Sequence, residues 1–373
     1  MIAFECKFYL GDRPCIWHKK EGVHCKCEHF QKLQENILII KLDAMGDVLR
    51  TTCLLPVISR KWPHAGISWI TGRESTRLLK GNPYIYEILE YGTTSMNHLL
   101  SRTFDYVINL DSGKISSALA SISKSNNKVG FLLHDKGYVY GTNTEAENWL
   151  KMGIFDDLKK DNRKTYQEIM CSILGLSIDG IEYVLQLSDE ELERGRHHLQ
   201  DLGLDLNKPI IGIHTGGGGR WKLKQWNEES YISVIEKLGN IFKNNASIVL
   251  FGGHLEKELN NRIIRSVKSL SYDAGCDNEV RHFASLVNNC SVILTGDSLA
   301  MHIALAAKRR VVVLFGPTSH AEIELFGLGE KIIPKLDCLV CYKTDCGYIP
   351  NCMDSITVDE VSGAILRQFE FIS

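Results

Sequence analysis

The chain has 373 residues, 44% of them hydrophobic, and its 43 Lys+Arg against 45 Asp+Glu give a formal net charge of -2. That length and apolar content allow two domains with separate cores, and a charge near zero excludes a global basic field that would recruit nucleic acid. The longest apolar runs, such as Val311–Phe315, are strand-sized and far too short to span a membrane.

Residues 1–34 form a Cys/His-rich arm with little periodicity. No continuous apolar stretch follows the first residues, so the arm does not read as a secretory signal, and a cytoplasmic location is expected. Twelve cysteines in a reducing compartment point to metal ligation where they cluster. The scattered Cys53, Cys171, Cys276 and Cys290 read as small buried hydrophobes. The arm offers Cys6, Cys15, His18, His24, Cys25, Cys27 and His29, and its C-x8-C-x2-H-x6-C pattern fits a small zinc-type site. Cys25 and Cys27 stand two apart, a strained bite for one metal. The arm is too short for a core of its own, which favours metal stapling.

From Ile37 onward, strand-like runs Ile37–Ile40, Ile67–Ile70, Tyr86–Leu89 and Tyr106–Leu110 alternate with helical patterns. This is the signature of a parallel sheet wrapped by helices. The first strand-to-helix corner, "LDAMGDVLRTT" over Leu42–Thr52, has one glycine with a carboxylate on either side. A nucleotide-binding α/β protein usually carries a glycine-rich phosphate cradle there, and carboxylates would repel a phosphate. The acidic corner therefore reads as one that presents a base rather than a phosphate cradle, with Gly46 allowing a tight turn before Asp47 and Asp43 reading as a turn or cap residue. The charged stretch Ser188–Pro209 reads as helical, closing with Gly203, Asn207 and Pro209, and the domain boundary falls just before it or within it. The expected domains are residues 1–34 (arm), 35–185, 186–356, and a terminal helix in 357–373, with Val358–Phe369 amphipathic.

A second alternation, Ile210–Ile213, Ile248–Phe251, Val292–Leu294 and Val311–Phe315, supplies three more corners. In "IGIHTGGGGRWKLKQW" the run Gly216–Gly219 lets backbone N–H groups approach an anion, the Thr215 hydroxyl adds a donor, and Lys224 brings positive charge. In "LFGGHLEKEL" a Gly252–Gly253 turn precedes Glu256, which can accept from ribose hydroxyls or simply favour a helix N-terminus. In "ILTGDSLAMHIALAA" Asp297 or Ser298 can cap a helix whose free N–H groups form an anion site, and His302, about one turn in, reads as packed. A cleft at the carboxyl ends of such strands is where ligands bind. Beyond them, Cys338, Cys341, Cys346 and Cys352 are spaced C-x2-C-x4-C-x5-C. Zinc is the default for four thiolates, with mononuclear iron or an iron–sulfur cluster as alternatives, and a closed shell of four makes the site structural.

Taken together, "ILIIKLDAMGDVLRTTCLLPVI", "IGIHTGGGGRWKLKQWNEESY", "FGGHLEKE" and "GDSLAMHIALAAKRRVVVLFGPT" resemble glycosyltransferase family 9, the ADP-heptose heptosyltransferases, from about Asn36 to the C-terminus. The resemblance implies an α/β GT-B fold, two Rossmann-like domains facing across a cleft, with acceptor bound by the first and ADP-heptose by the second. It implies inverting transfer that needs no metal for the chemistry, and domain closure that excludes water. It assigns Asp47 as general base, Lys224 to the donor diphosphate, Glu256 to the ribose, and Asp297 to the neighbourhood of the donor sugar. Thr215, Gly216, Gly217, Gly253, Ser298, Leu299, Ala300 and His302 complete the implied donor site. The acceptor is expected to be a cell-envelope glycan such as the lipopolysaccharide inner core. The alternatives are a protein or small-molecule acceptor, or a nucleotide-binding or assembly protein without transfer. No nucleic-acid partner is implied, and membrane contact is at most peripheral, at the inner membrane.

Two departures stand out. Where relatives often have Asp-Ser-Gly-Pro-Met-His, this chain has Asp297-Ser298-Leu299-Ala300-Met301-His302, and Arg220-Trp221 after four glycines is unusual. The arm is similar to a Cys-rich extension found in a subset of the family, for which a second zinc is expected. Some members carry an iron held by cysteines near the four-cysteine stretch.

Overall fold

The computed structural model describes residues 1–219, 222–243 and 245–371, and the chain separates into two compact units. The first comprises Met1–Leu150 and Gln167–Glu182, the second Lys151–Tyr166 and Tyr183–Ser373.

In the first unit, β1 (Asn36–Ile40), β2 (Gly66–Thr71), β3 (Glu87–Glu90), β4 (Tyr106–Asn109), β5 (Asn127–Leu133) and β6 (Val139–Gly141) form one sheet in the order β3-β2-β1-β4-β5-β6. All pairs are parallel except β5 with β6. Ile37 pairs with Ile67 on one side and Tyr106 on the other, and Ile37–Ile40 are fully buried. Strands covered on both faces read as continuous apolar runs, which is why β1 is conspicuous in the sequence. At Gly130 of β5, a Cβ would lie 1.8 Å from the Asn109 carbonyl oxygen at φ +105°, so only glycine permits this approach of β5 to β4.

The second unit repeats the plan. β7 (Ile210–His214), β8 (Ser247–Phe251), β9 (Ser271–Asp273), β10 (Val292–Gly296), β11 (Arg310–Leu314) and β12 (Gly329–Ile332) are all parallel, in the order β12-β11-β10-β7-β8-β9. Each unit places its first strand centrally and then reverses the direction of sheet growth. The reversal lies between β1 and β4 in the first unit and between β7 and β10 in the second. Such switch points are where open α/β sheets bind ligands.

The terminal helix Val358–Phe369 is present as expected. Thr357 and Glu360 cap each other's backbone N–H groups at 3.0 and 3.2 Å, a reciprocal capping box. Val361, Ala364 and Ile365 then enter the second unit's core beside Trp226 and Val234. The helix expected within Ser188–Pro209 is present. It starts at a Ser188/Glu191 capping box and runs Asp189–Asp201, then stops where Gly203 takes φ +92°. β9 and β12 escape sequence reading because they are short sheet-edge strands with polar residues and incomplete burial.

Candidate active site

At the acidic corner, β1 runs through buried Lys41 and Leu42 into helix Met45–Thr51. Asp47 lies in the first turn of that helix, its side chain 38% exposed. Oδ1 is 2.9 Å from Arg50 Nη2, and Oδ2 accepts from the Ala44 N–H at 3.4 Å. The helix is therefore capped from within by Asp47, a favourable place for a carboxylate. One expectation is corrected here. Gly46 already sits inside the helix, so the chain turns before it, at the exposed bend residue Asp43, while Ala44 takes the cap position. Sequence reasoning also missed Asp111, which follows β4. Its Oδ2 accepts from the Leu42 N–H at 3.2 Å and lies 3.9 Å from Lys41 Nζ. An aspartate ending an apolar strand was the available signal.

In the second unit, three expected residues and one unexpected residue meet at the β7/β10 switch point. Lys224 ends the short 3-10 turn Lys222–Lys224, and its Nζ donates to Asp297 Oδ2 at 2.7 Å and to the Asp297 carbonyl at 3.1 Å. Thr318, in the loop after β11, donates to the same Oδ2 at 2.8 Å. Burial alone would raise the Asp297 carboxyl, but the Lys224 ammonium outweighs it, with help from His302 and Thr318, and holds it below the usual range. Asp297 precedes helix Leu299–Ala306, whose N-cap Ser298 makes no side-chain cap. The Ser298 hydroxyl pairs instead with Thr295 Oγ1 at 2.9 Å. The first-turn N–H groups thus lack a side-chain cap beside a lysine, an arrangement suited to an anion. The Asp297–Lys224 pairing also neutralises a carboxylate that would otherwise repel that anion.

Several other expected donor residues are engaged or closely packed within the unit. The Thr215 hydroxyl is buried and donates to Asn260 Oδ1 at 2.6 Å, so it is no phosphate donor. Gly216 and Gly217 are demanded by packing: a Cβ would meet His214 Cε1 at 2.7 Å and Gln225 N at 2.9 Å, respectively. The Gly253 N–H donates to Glu256 Oε2 at 2.9 Å, and no protein hydrogen bond is made to Glu256 Oε1 among the described residues. Leu299 is half-buried, while Ala300 and His302 are buried, His302 with its ring 5.6 Å from that of Tyr183. Arg220 and Trp221 lie outside the described residues.

His214, at the end of β7 beneath the glycine run, was not singled out from sequence. Its ring packs 5.6 Å from that of Phe283, and its buried Nδ1 has no hydrogen-bond partner. Burial pushes the imidazole down to about 4, against a smaller opposing contribution from a backbone hydrogen bond to Gly216. A histidine that folds neutral contributes stability fully present above its unfolded value and lost as pH falls toward the folded one. Stability should therefore drop by about 3 kcal/mol between pH 6.5 and 4. Chemical denaturation across that range should show a shallower fall in His214→Gln than in the parent.

Cys338, Cys341, Cys346 and Cys352 all line one pocket of about 310 Å3 with Leu339 and Pro350. Burial raises the Cys352 thiol to about 11, and the neighbouring Cys341 and Cys346 add to the rise. Neither cysteine cluster is drawn into a tight shell. Among the described residues, Glu21, Glu28 and His29 form the group whose ligand atoms all lie within 4.8 Å of one another. No helix of the described residues is long and apolar enough to cross a membrane.

Two Rossmann-like units, each with a switch point in its sheet, define the fold class as GT-B. The model of glycosyltransferase family 9 (heptosyltransferase) matches residues 94–347, and the chain belongs to that family. It is 31% identical to lipopolysaccharide heptosyltransferase 2 of Salmonella typhimurium over 124 residues, 32% of this chain and only 34% of that relative's length. It is 22% identical to lipooligosaccharide heptosyltransferase 2 of Haemophilus influenzae over 310 residues, 76% of this chain and 84% of the relative. Among solved structures, a family 9 glycosyltransferase from Veillonella parvula superposes with a TM-score of 0.74 at 18% identity, covering 91% of this chain and 98% of its own. The dodecameric iron-containing heptosyltransferase TibC of enterotoxigenic E. coli, solved with ADP-D-β-D-heptose, gives 0.52 at 12% identity, covering 92% and 78%.

Proposed function

We propose that this protein transfers heptose from ADP-heptose to an acceptor hydroxyl with inversion at the anomeric carbon. The observation that carries this reading is the Lys224–Asp297 pair, 2.7 Å apart beside the uncapped start of helix Leu299–Ala306. An ADP diphosphate takes the helix N–H groups and the Lys224 ammonium, which stabilise the charge that ADP gains as it departs. The second oxygen of Glu256 accepts from the ribose. Asp47 removes the proton of the acceptor hydroxyl as attack proceeds, since a hydroxyl is a poor nucleophile near neutral pH. An envelope glycan is the preferred acceptor, in keeping with the names of the relatives in Salmonella and Haemophilus. The cytoplasm is the compartment this reading carries, and the twelve free cysteines suit it.

An ADP-release assay with ADP-heptose and candidate lipopolysaccharide cores, proteins and small acceptors tests the reading. Acceptor-dependent ADP release together with a mass shift of one heptose on the product supports it. ADP binding without turnover on any acceptor would instead point to a binding or assembly protein.

The four cysteines lining the second unit's pocket are the right donors for zinc or iron. When bound, such an ion cross-links Cys338, Cys341, Cys346 and Cys352 and supplies no step of transfer. Cys341→Ser should remove about one metal equivalent per chain and lower the melting temperature. Unchanged metal content by elemental analysis would dismiss the site.

A further inference from the structure

The N-terminal arm poses a separate physical problem. Of residues 1–34, only Ala3 is buried, yet the arm has defined structure. Helix Ile16–Glu21 stops at Gly22 in the left-handed conformation. Cys6 bridges to Lys32, and the Tyr86 hydroxyl of the same unit donates to the Tyr9 carbonyl at 3.0 Å. Hydrophobic burial is insufficient to hold such a segment, and segments of this size normally need a staple.

The arm folds around its own pocket of about 300 Å3, lined by all four of its cysteines and by His18, His24 and His29. The donors there are not equivalent. His18 Nδ1 lies 2.9 Å from the Val23 carbonyl. A carbonyl only accepts, so Nδ1 carries the proton and Nε2 presents its lone pair, the arrangement that orients a metal-binding imidazole. The Cys15 sulfur caps the same helix, accepting from the His18 N–H at 3.4 Å, so both groups are fixed at one helix start. His29 is already engaged, with Nε2 2.7 Å from Glu21 and its ring stacked 3.7 Å from that of Trp17. Between Cys25 and Cys27, Lys26 takes φ 66°, and of these two thiols Cys25 is exposed while Cys27 is partly covered.

We propose that the arm binds one divalent metal ion of the zinc class through Cys6, Cys15, Cys27 and His18 Nε2, and that this ion keeps the arm folded. Three thiolates and one imidazole form a closed tetrahedral set with no open position, hence a structural site. The donors ring the pocket without yet converging, and with no core to resist it the arm can close on an ion. Coordination releases the three thiol protons to solvent and requires no oxidant or reductant. The inference does not depend on the transfer reading or on the four-cysteine site in the second unit, because its readout is a change in metal count.

Full-length protein purified under reducing conditions with zinc should lose one equivalent per chain, by elemental analysis, in Cys15→Ser and in His18→Ala. The loss is expected whether the parent holds one equivalent or two. Cys27→Ser should lose the same equivalent, and Cys25→Ser should keep it. Because both sheet cores lie outside the arm, thermal unfolding should confirm that the variants remain folded. In the parent, a chelator should open the arm to limited proteolysis before the sheets unfold. A metal count unchanged in both Cys15→Ser and His18→Ala, or arm thiols equally reactive toward a thiol reagent with and without chelator, would overturn the proposal. Loss in Cys25→Ser with retention in Cys27→Ser would overturn the ligand set.

Discussion

Asp47→Asn should reduce heptose transfer by about 10^2- to 10^4-fold, the range for removing a positioned general base, while ADP affinity stays within about twofold. The substitution separates chemistry from structure. Asparagine keeps the size of the side chain and can still accept from the Ala44 N–H, which reaches Asp47 Oδ2 at 3.4 Å. What it cannot do is take up the acceptor's proton. The structural share of Asp47 is that of a carboxylate at a helix N-terminus, about 0.3–1 kcal/mol, so the melting temperature should move by only a few degrees. Arg50 lies 2.9 Å from the other oxygen, and under the proposed role of Asp47 it positions the base. Arg50→Gln should cost less transfer than Asp47→Asn, because the base remains. Steady-state kinetics and ADP titration of the same preparations read both quantities, and turnover of Asp47→Asn within about tenfold of the parent would remove Asp47 from the role.

How much of this was legible follows from what kind of residue carries each signal. Strands buried on both faces, such as Ile37–Ile40 and Val311–Leu314, show as short apolar runs. Short sheet-edge strands such as Ser271–Asp273 carry no comparable mark. Equally hidden is that Lys151–Tyr166 packs with the second unit. That placement rests on long-range contacts, such as Lys160 Nζ to the Asp337 carbonyl at 2.9 Å and the Tyr166 N–H to the Glu322 carbonyl at 2.9 Å. At the site, the glycine run and its lysine were visible as a motif, but a motif does not say which groups are already engaged. Thr215 looked like a free donor until Asn260, forty-five positions away, was seen to hold it. Thr318 stood in the "GPT" that follows β11 without announcing that it serves Asp297.

Lys224→Ala should produce two losses at once, and separating them identifies the lysine's task. Both members of the pair are largely buried, with side chains 14% and 16% exposed. Removing one member of such a pair leaves the other charge uncompensated, which typically costs 3–5 kcal/mol. Transfer should fall by about 10^2- to 10^3-fold as well, the usual effect of deleting one group that stabilises developing negative charge. The single variant alone is ambiguous, because a weakened second unit would also transfer poorly. The double variant Lys224→Met with Asp297→Asn removes both charges at similar volume and leaves Thr318 able to donate to the amide oxygen that then stands in place of Asp297 Oδ2. Stability should then return close to the parent, since neutral replacements of buried pairs are often harmless, whereas transfer should stay low. Contacting residues couple, so the full cycle with both single variants is needed. If transfer recovers together with stability in the double variant, Lys224 is only a structural partner of Asp297, and the diphosphate must be held by the N–H groups at the start of helix Leu299–Ala306 without it.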